Sequence, residues 1–302
     1  MAVHLVSVLM LLAWGALAFG AEYSWAYAPL LVFAVTAGVL GLRAGRGARL
    51  PSPWIVSLMV ALVVAVGLQL VPLPAAIRAS FGAPAGIDYA LLYRATMLQD
   101  LAEFSGAAIS IAPSRTALGL LFLVAFGVLF VGTTRAISTH GPDGVARGIT
   151  VLAVVVALIG ILQRAVQSTT LYGFWQPPKP DVPFAPFINA NHFAGWMVMA
   201  ISLGVGLLAA DLSTAGRRGW RTWLFAADAS RTALMAFGAG VMALSMVVAG
   251  SRGGLLGLLT AIVISAGWTL WRQTSRTRRA VGSQRRLLPS RATRSVFADG
   301  SS

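Results

Sequence analysis

Asn189, Asn191 and His192 stand almost side by side in the run Phe187-Ile188-Asn189-Ala190-Asn191-His192, at the entry to an apolar segment. An aromatic and proline-rich stretch precedes them, Tyr172-Gly173-Phe174-Trp175 and then Pro177-Pro178-Lys179-Pro180. Asparagine caps helix starts because its side-chain oxygen accepts an orphan backbone N–H. Asn191 is therefore expected to cap the helix that begins here, while Asn189 and His192 are left to bind a polar ligand or to hydrogen-bond at an interface. A second cluster, Ser251-Arg252-Gly253-Gly254, lies between two apolar segments. Arginine offers a planar donor fork that matches phosphate oxygens two at a time. Two following glycines let backbone N–H groups come close to an anion. The plainer reading is an arginine snorkelling at a helix turn, with Gly253 and Gly257 serving helix packing. Arg164 and Arg115 close and open other apolar segments, where they read as topological anchors.

Composition decides what must position these residues. Of the 302 residues, 57% are hydrophobic and only 11% charged, with a mean hydropathy of +0.79. Soluble domains are about 45–50% apolar and about 25% charged, so the chain departs toward what a bilayer demands. A span needs about 20 mostly apolar residues. Eight segments qualify: Leu5–Gly20, Ala26–Leu42, Trp54–Val71, Thr116–Thr134, Gly148–Leu162, Phe193–Ala210, Thr232–Ala249 and Leu255–Trp271. The expected architecture is an all-α integral membrane protein of about eight transmembrane helices over residues 1–271. Residues 272–302 form a basic, apolar-poor tail expected to be disordered. Ala16-Leu17-Ala18 resembles a signal-peptidase site, but no Lys or Arg precedes Leu5, so the first span is read as uncleaved.

The net charge is +14, yet the basic residues lie in short loops and in the tail. That pattern speaks for membrane lipids as partners and against nucleic acid. Seventeen of the 23 basic residues fall on one side of the eight-span layout, including Arg43, Arg46, Arg49, Arg135, Arg147 and the eight arginines after Trp271. The positive-inside rule makes that side cytoplasmic, with both termini on it. The other side keeps Arg78, Arg94, Arg115, Arg164, Lys179 and Arg252. One loop there contains Ile87–Phe104, with Asp88, Arg94, Asp100 and Glu103 among apolar residues, and is expected to lie along the membrane surface. His4 and His140 sit at a terminus and a loop and carry no signal. The absence of cysteine excludes disulfides and thiolate chemistry. No phosphate-binding loop, zinc-protease or nucleophile-elbow motif is present. The spans lack the repeated acids of cation pathways, and no repeat symmetry is visible, which disfavours a transporter.

Several segments taken together resemble the O-antigen ligase and O-antigen polymerase family of bacterial membrane glycosyltransferases. They are Ile109-Ser110-Ile111-Ala112-Pro113 with Thr116, Gly160-Ile161-Leu162-Gln163, Tyr172-Gly173, Phe187 through Gly195, and Ser251-Arg252-Gly253-Gly254. The last two are the most specific, and the resemblance covers the chain from about Trp54 to Trp271. It implies a GT-C-like polytopic bundle in the bacterial cytoplasmic (inner) membrane, acting on the outer side. It further implies transfer of a glycan from an undecaprenyl-diphosphate carrier in surface-polysaccharide assembly, with no nucleotide sugar, metal or other cofactor. Arg252 matches the motif arginine that holds the diphosphate, and Arg164 matches by location alone. Asn189, Asn191 and His192 would complete the binding site. Family members carry further helices and a large outer loop whose histidine serves as base. No histidine follows His192 here, so the resemblance assigns no catalytic residue. A non-catalytic relative or accessory subunit that binds lipid-linked glycan is the alternative.

Overall fold

The computed structural model describes residues 2–48, 50–71, 109–110, 112–167, 170–176, 183–215, 227–267 and 271. The Ile87–Phe104 stretch, Lys179 and the 272–302 tail lie outside them. Among the described residues the protein is all-helical, with two isolated β-bridges and no strand. Among these residues eight α-helices follow in order, with a single 3-10 turn at Phe19–Ala21 after the first: α1 (Ala2–Leu17), α2 (Ser24–Ala44), α3 (Pro53–Leu68), α4 (Pro113–His140), α5 (Asp143–Ala165), α6 (Ala190–Ala215), α7 (Ala227–Ala249) and α8 (Arg252–Gly267). Five of these, α2 and α4 to α7, are long and apolar enough to cross a membrane, and the other three are shorter apolar helices. The chain is thus a helical protein with the make-up of a multi-pass membrane protein.

The helices run past the apolar segments that betray them. α4 continues beyond Thr134 to His140 and α5 starts at Asp143 rather than Gly148. Hydropathy marks where lipid is tolerated, whereas a helix stops where the backbone breaks, here at Gly141 (φ 81°) and Gly250 (φ 71°). Local chemistry sets several starts. Proline occupies the first turn of α3 and α4, where its missing N–H costs nothing. α5 opens on Asp143 and ends with Arg164 in its last turn, each charge suited to its end of the helix dipole.

Consecutive helices alternate in direction. The His4 imidazole is bonded to the Ala37 carbonyl through Nδ1 (3.0 Å), and the Trp14 indole donates to Ala26 O (2.7 Å), which sets α1 antiparallel to α2. α5 lies parallel to α1, with Gly144 against Leu5 and Gly148 against Leu9. α4 lies parallel to α2 along glycines. A methyl group at Gly38 would meet the Val128 and Leu129 backbone at 2.7 Å, and one at Gly41 would meet Gly132 at 2.5 Å. In a bilayer, where apolar surface gains little by leaving lipid, such close backbone approach is what holds helices together. The main core lies between α5, α6 and α7, around Val156, Phe193, Met197, Met242 and Met246. One end of the bundle therefore gathers the ends of α1, α5 and α7 with the starts of α2, α4, α6 and α8.

Candidate functional site

That end is where every segment of the family-like series arrives. Ser110 Oγ lies 2.7 Å from Thr116 Oγ1 and accepts the Ala112 N–H, which fastens the start of α4. Gly160 makes room for the Phe184 ring, and Gln163 Nε2 donates to Thr170 O at 3.4 Å. The Tyr172 phenol donates to the Leu17 carbonyl, tying the 170–176 loop to the end of α1.

The Asn189 and Ser251 segments, sixty residues apart in sequence, meet directly. Asn189, not Asn191, caps α6: its Oδ1 accepts the Asn191 N–H at 2.7 Å, and its carbonyl accepts the N–H groups of His192 and Phe193. The expectation for Asn191 fails for a physical reason. Its carboxamide is occupied elsewhere, because Oδ1 accepts the Ser251 hydroxyl at 2.8 Å. Ser251 is itself the cap of α8, accepting the Gly254 N–H at 3.1 Å through the same oxygen and the Leu255 N–H through its carbonyl. Gly254 is buried against Ala194 of α6, with no room for a side chain between them. Two helix starts are thereby locked together.

Arg252 is the first residue of α8 and His192 lies in the first turn of α6; both are exposed, as is Asn191. Arg164 is exposed in the last turn of α5 at the same end, and Arg115 in the first turn of α4. None of the three guanidinium groups has a hydrogen bond or ion pair among the described residues. The described acid at this end is Glu22. The local field is positive, and the amide ends of two helix dipoles add to it. The geometry thus joins Asn189, Asn191 and Ser251, sets Arg252 and His192 beside them in sequence, and places Arg164 at the same end without a contact to them. Among the described residues no three His, Asp or Glu side chains gather as a metal site would require.

Two features escaped the sequence. The first is a layer of rings over the end of α1. Phe19 packs on Tyr23, Trp25, Tyr172 and Trp175 at centroid distances of 5.5–6.0 Å. Its backbone turns left-handed through Phe19, Gly20 and Ala21 (φ 56°, 68° and 56°). Two polar atoms inside this layer, Tyr23 Oη and Trp175 Nε1, are buried without a hydrogen-bond partner. Burial also raises the Tyr172 phenol above its usual 10.0. The Tyr172–Trp175 run stood out only as an aromatic stretch, and its partners at Phe19 and Tyr23 gave no signal. The second is His4, which is not a loose terminal residue: it is buried in α1, at the opposite end, where it lines a small pocket with Ala44, Ala136, Ile137 and His140.

No protein-family model matches the chain, and no curated protein or solved structure matches it either.

Proposed function

We propose that the chain is an O-antigen-ligase-like protein of the bacterial inner membrane that binds an undecaprenyl-diphosphate-linked glycan at the Arg252 end and transfers or polymerises that glycan. The observation that carries this reading is the hydrogen bond from Ser251 to Asn191, which makes one surface of the two most family-like segments. All eight helices then cross the membrane in a GT-C-like bundle, with the Arg252 end outward and both termini in the cytoplasm. The alternating helix directions and the basic residues beyond α2 and between α4 and α5 support that orientation. The 16-residue helices α1 and α3 rise about 24 Å each. They come near a hydrocarbon core of about 30 Å, with flanking residues covering the rest.

The chemistry follows from charge. The acceptor hydroxyl oxygen attacks the anomeric carbon of the carried glycan, the bond from that carbon to the phosphate oxygen breaks, and the lipid diphosphate leaves with the electron pair. The hydroxyl proton passes to a base. Arg252, with Arg164 and the donors Asn189, Asn191 and His192, would neutralise the diphosphate in a partly dry site and so lower the cost of that departure. A second reading, binding without transfer, is favoured by one observation. His4 and His140 lie at the opposite end, which leaves His192 as the imidazole of this one.

Undecaprenyl diphosphate binding to the purified chain in lipid nanodiscs tests the reading. Arg252→Lys keeps the charge but loses the fork, and should weaken binding while the protein stays folded. Arg252→Ala should weaken it further, by about ten- to a hundredfold, the worth of hydrogen bonds to a charged group. Equal affinity in all three folded proteins would make Arg252 an anchor and remove the site.

A further inference from the structure

One doubly bonded polar atom at the Arg252 end belongs to a residue that no ligand need touch. Ser251 is 4% exposed, yet its hydroxyl spends both of its roles. The proton goes to Asn191 Oδ1 at 2.8 Å, and the oxygen accepts the Gly254 N–H at 3.1 Å. The second bond caps α8. The first does something a cap does not require, because it reaches across to another helix and fixes the orientation of a side chain there.

A carboxamide is planar, with its oxygen and nitrogen on opposite branches. Once Oδ1 is held by Ser251, the Nδ2 group is directed away from Ser251. Turning the amide over would offer Ser251 a donor and leave its own proton without an acceptor, so the bonded arrangement selects one orientation. Asn191 is exposed and its Nδ2 has no partner among the described residues. The neighbouring backbone agrees. The Asn191 N–H is already satisfied by Asn189 Oδ1, so the side chain is not drawn back to its own helix. Gly254 against Ala194 holds α8 at the distance this bond needs.

We propose that Ser251 is the positioning residue of this site: it orients the Asn191 carboxamide so that Nδ2–H donates to the same anionic oxygens that Arg252 pairs with. The inference rests on the diphosphate reading above and deepens it by separating the group that binds from the group that aims. Asn191 touches the ligand; Ser251 acts through Asn191.

A double-mutant cycle in nanodiscs separates aiming from plain capping, with undecaprenyl diphosphate as the probe and thermal unfolding followed alongside. Ser251→Ala removes one oxygen and adds no volume; it should weaken binding by about two- to tenfold, the worth of one hydrogen bond. Asn191→Ala should weaken it at least as much, and the isosteric Asn191→Asp more, because a carboxylate repels the anion. The deciding arm is Ser251→Ala made on top of Asn191→Ala. It should cost no further affinity, since nothing is left to aim, yet still cost stability, since the cap on Gly254 is gone. If Ser251→Ala weakens binding equally with and without Asn191, its role is structural and the inference falls. It falls also if Ser251→Ala binds as wild type does while Arg252→Ala loses affinity, and in that case the diphosphate reading stands. A folded wild type that does not bind the probe overturns both.

Discussion

Two of the glycine contacts between helices close on different kinds of partner. Along α2 and α4, Gly38 and Gly41 meet the Val128, Leu129 and Gly132 backbone, with the His4 ring 2.9 Å from where a Gly41 methyl would stand. Neither side has anything left to give up. Between α6 and α8, Gly254 meets the Ala194 side chain, and polar groups rather than backbone complete the contact: Ser251, Asn191 and Asn189. The first contact serves packing alone. The second serves packing too, but it also sets how Arg252 and His192 are presented. A residue chosen for closeness therefore says little about function until its neighbours are known.

Substitutions should tell the two contacts apart. Gly41→Val should show the largest effect, because its new methyl groups meet backbone on the facing helix. We expect a loss toward the top of the range of about 1–3 kcal/mol found for overpacking, seen as a fall in the unfolding midpoint in detergent. No single change on α4 should rescue it, since Gly132 is already glycine. Gly254→Ala should cost less, about 1 kcal/mol on the same scale, and here rescue is expected: Ala194→Gly in the same chain returns the missing space, so the two changes should combine far below their sum. Additive losses at Gly254 and Ala194, or a rescue partner for Gly41, would erase the distinction. The smallest effect should come from Tyr172→Phe, which removes one hydrogen bond of a half-exposed phenol, about 0.5 kcal/mol. Burial raises the folded phenol above the unfolded value of 10.0, so its contribution is complete below about pH 10 and is lost as pH rises through the folded value. Wild type should therefore weaken at high pH, and Tyr172→Phe should lack that part of the fall.

How much of this was legible in the sequence divides along the same line. Apolar runs revealed that helices exist and where lipid is tolerated, because that information is local. They did not reveal where helices start or end, since His140 continues α4 past its apolar run and Asp143 and Arg147 open α5 ahead of its own. The polar residues of the site were visible as types. Their arrangement was not, because two equally good caps stand two residues apart at Asn189 and Asn191. The choice between them is made by Ser251, sixty positions away. His4 was missed because one histidine at the edge of an apolar run looks the same whether it meets solvent or the Ala37 carbonyl.

α3 differs from every other long element in having no buried residue at all, although Met59 comes close to Gly127 of α4. In the eight-span arrangement proposed above, its shape is answered by lipid tails, which flow, rather than by side chains, which do not. Leu, Ile, Val and Met should therefore be freely interchangeable along most of it, while a single charge in mid-helix should be rejected at insertion, at about 2.5–3.5 kcal/mol. Inheritance can drift there in spelling but not in vocabulary.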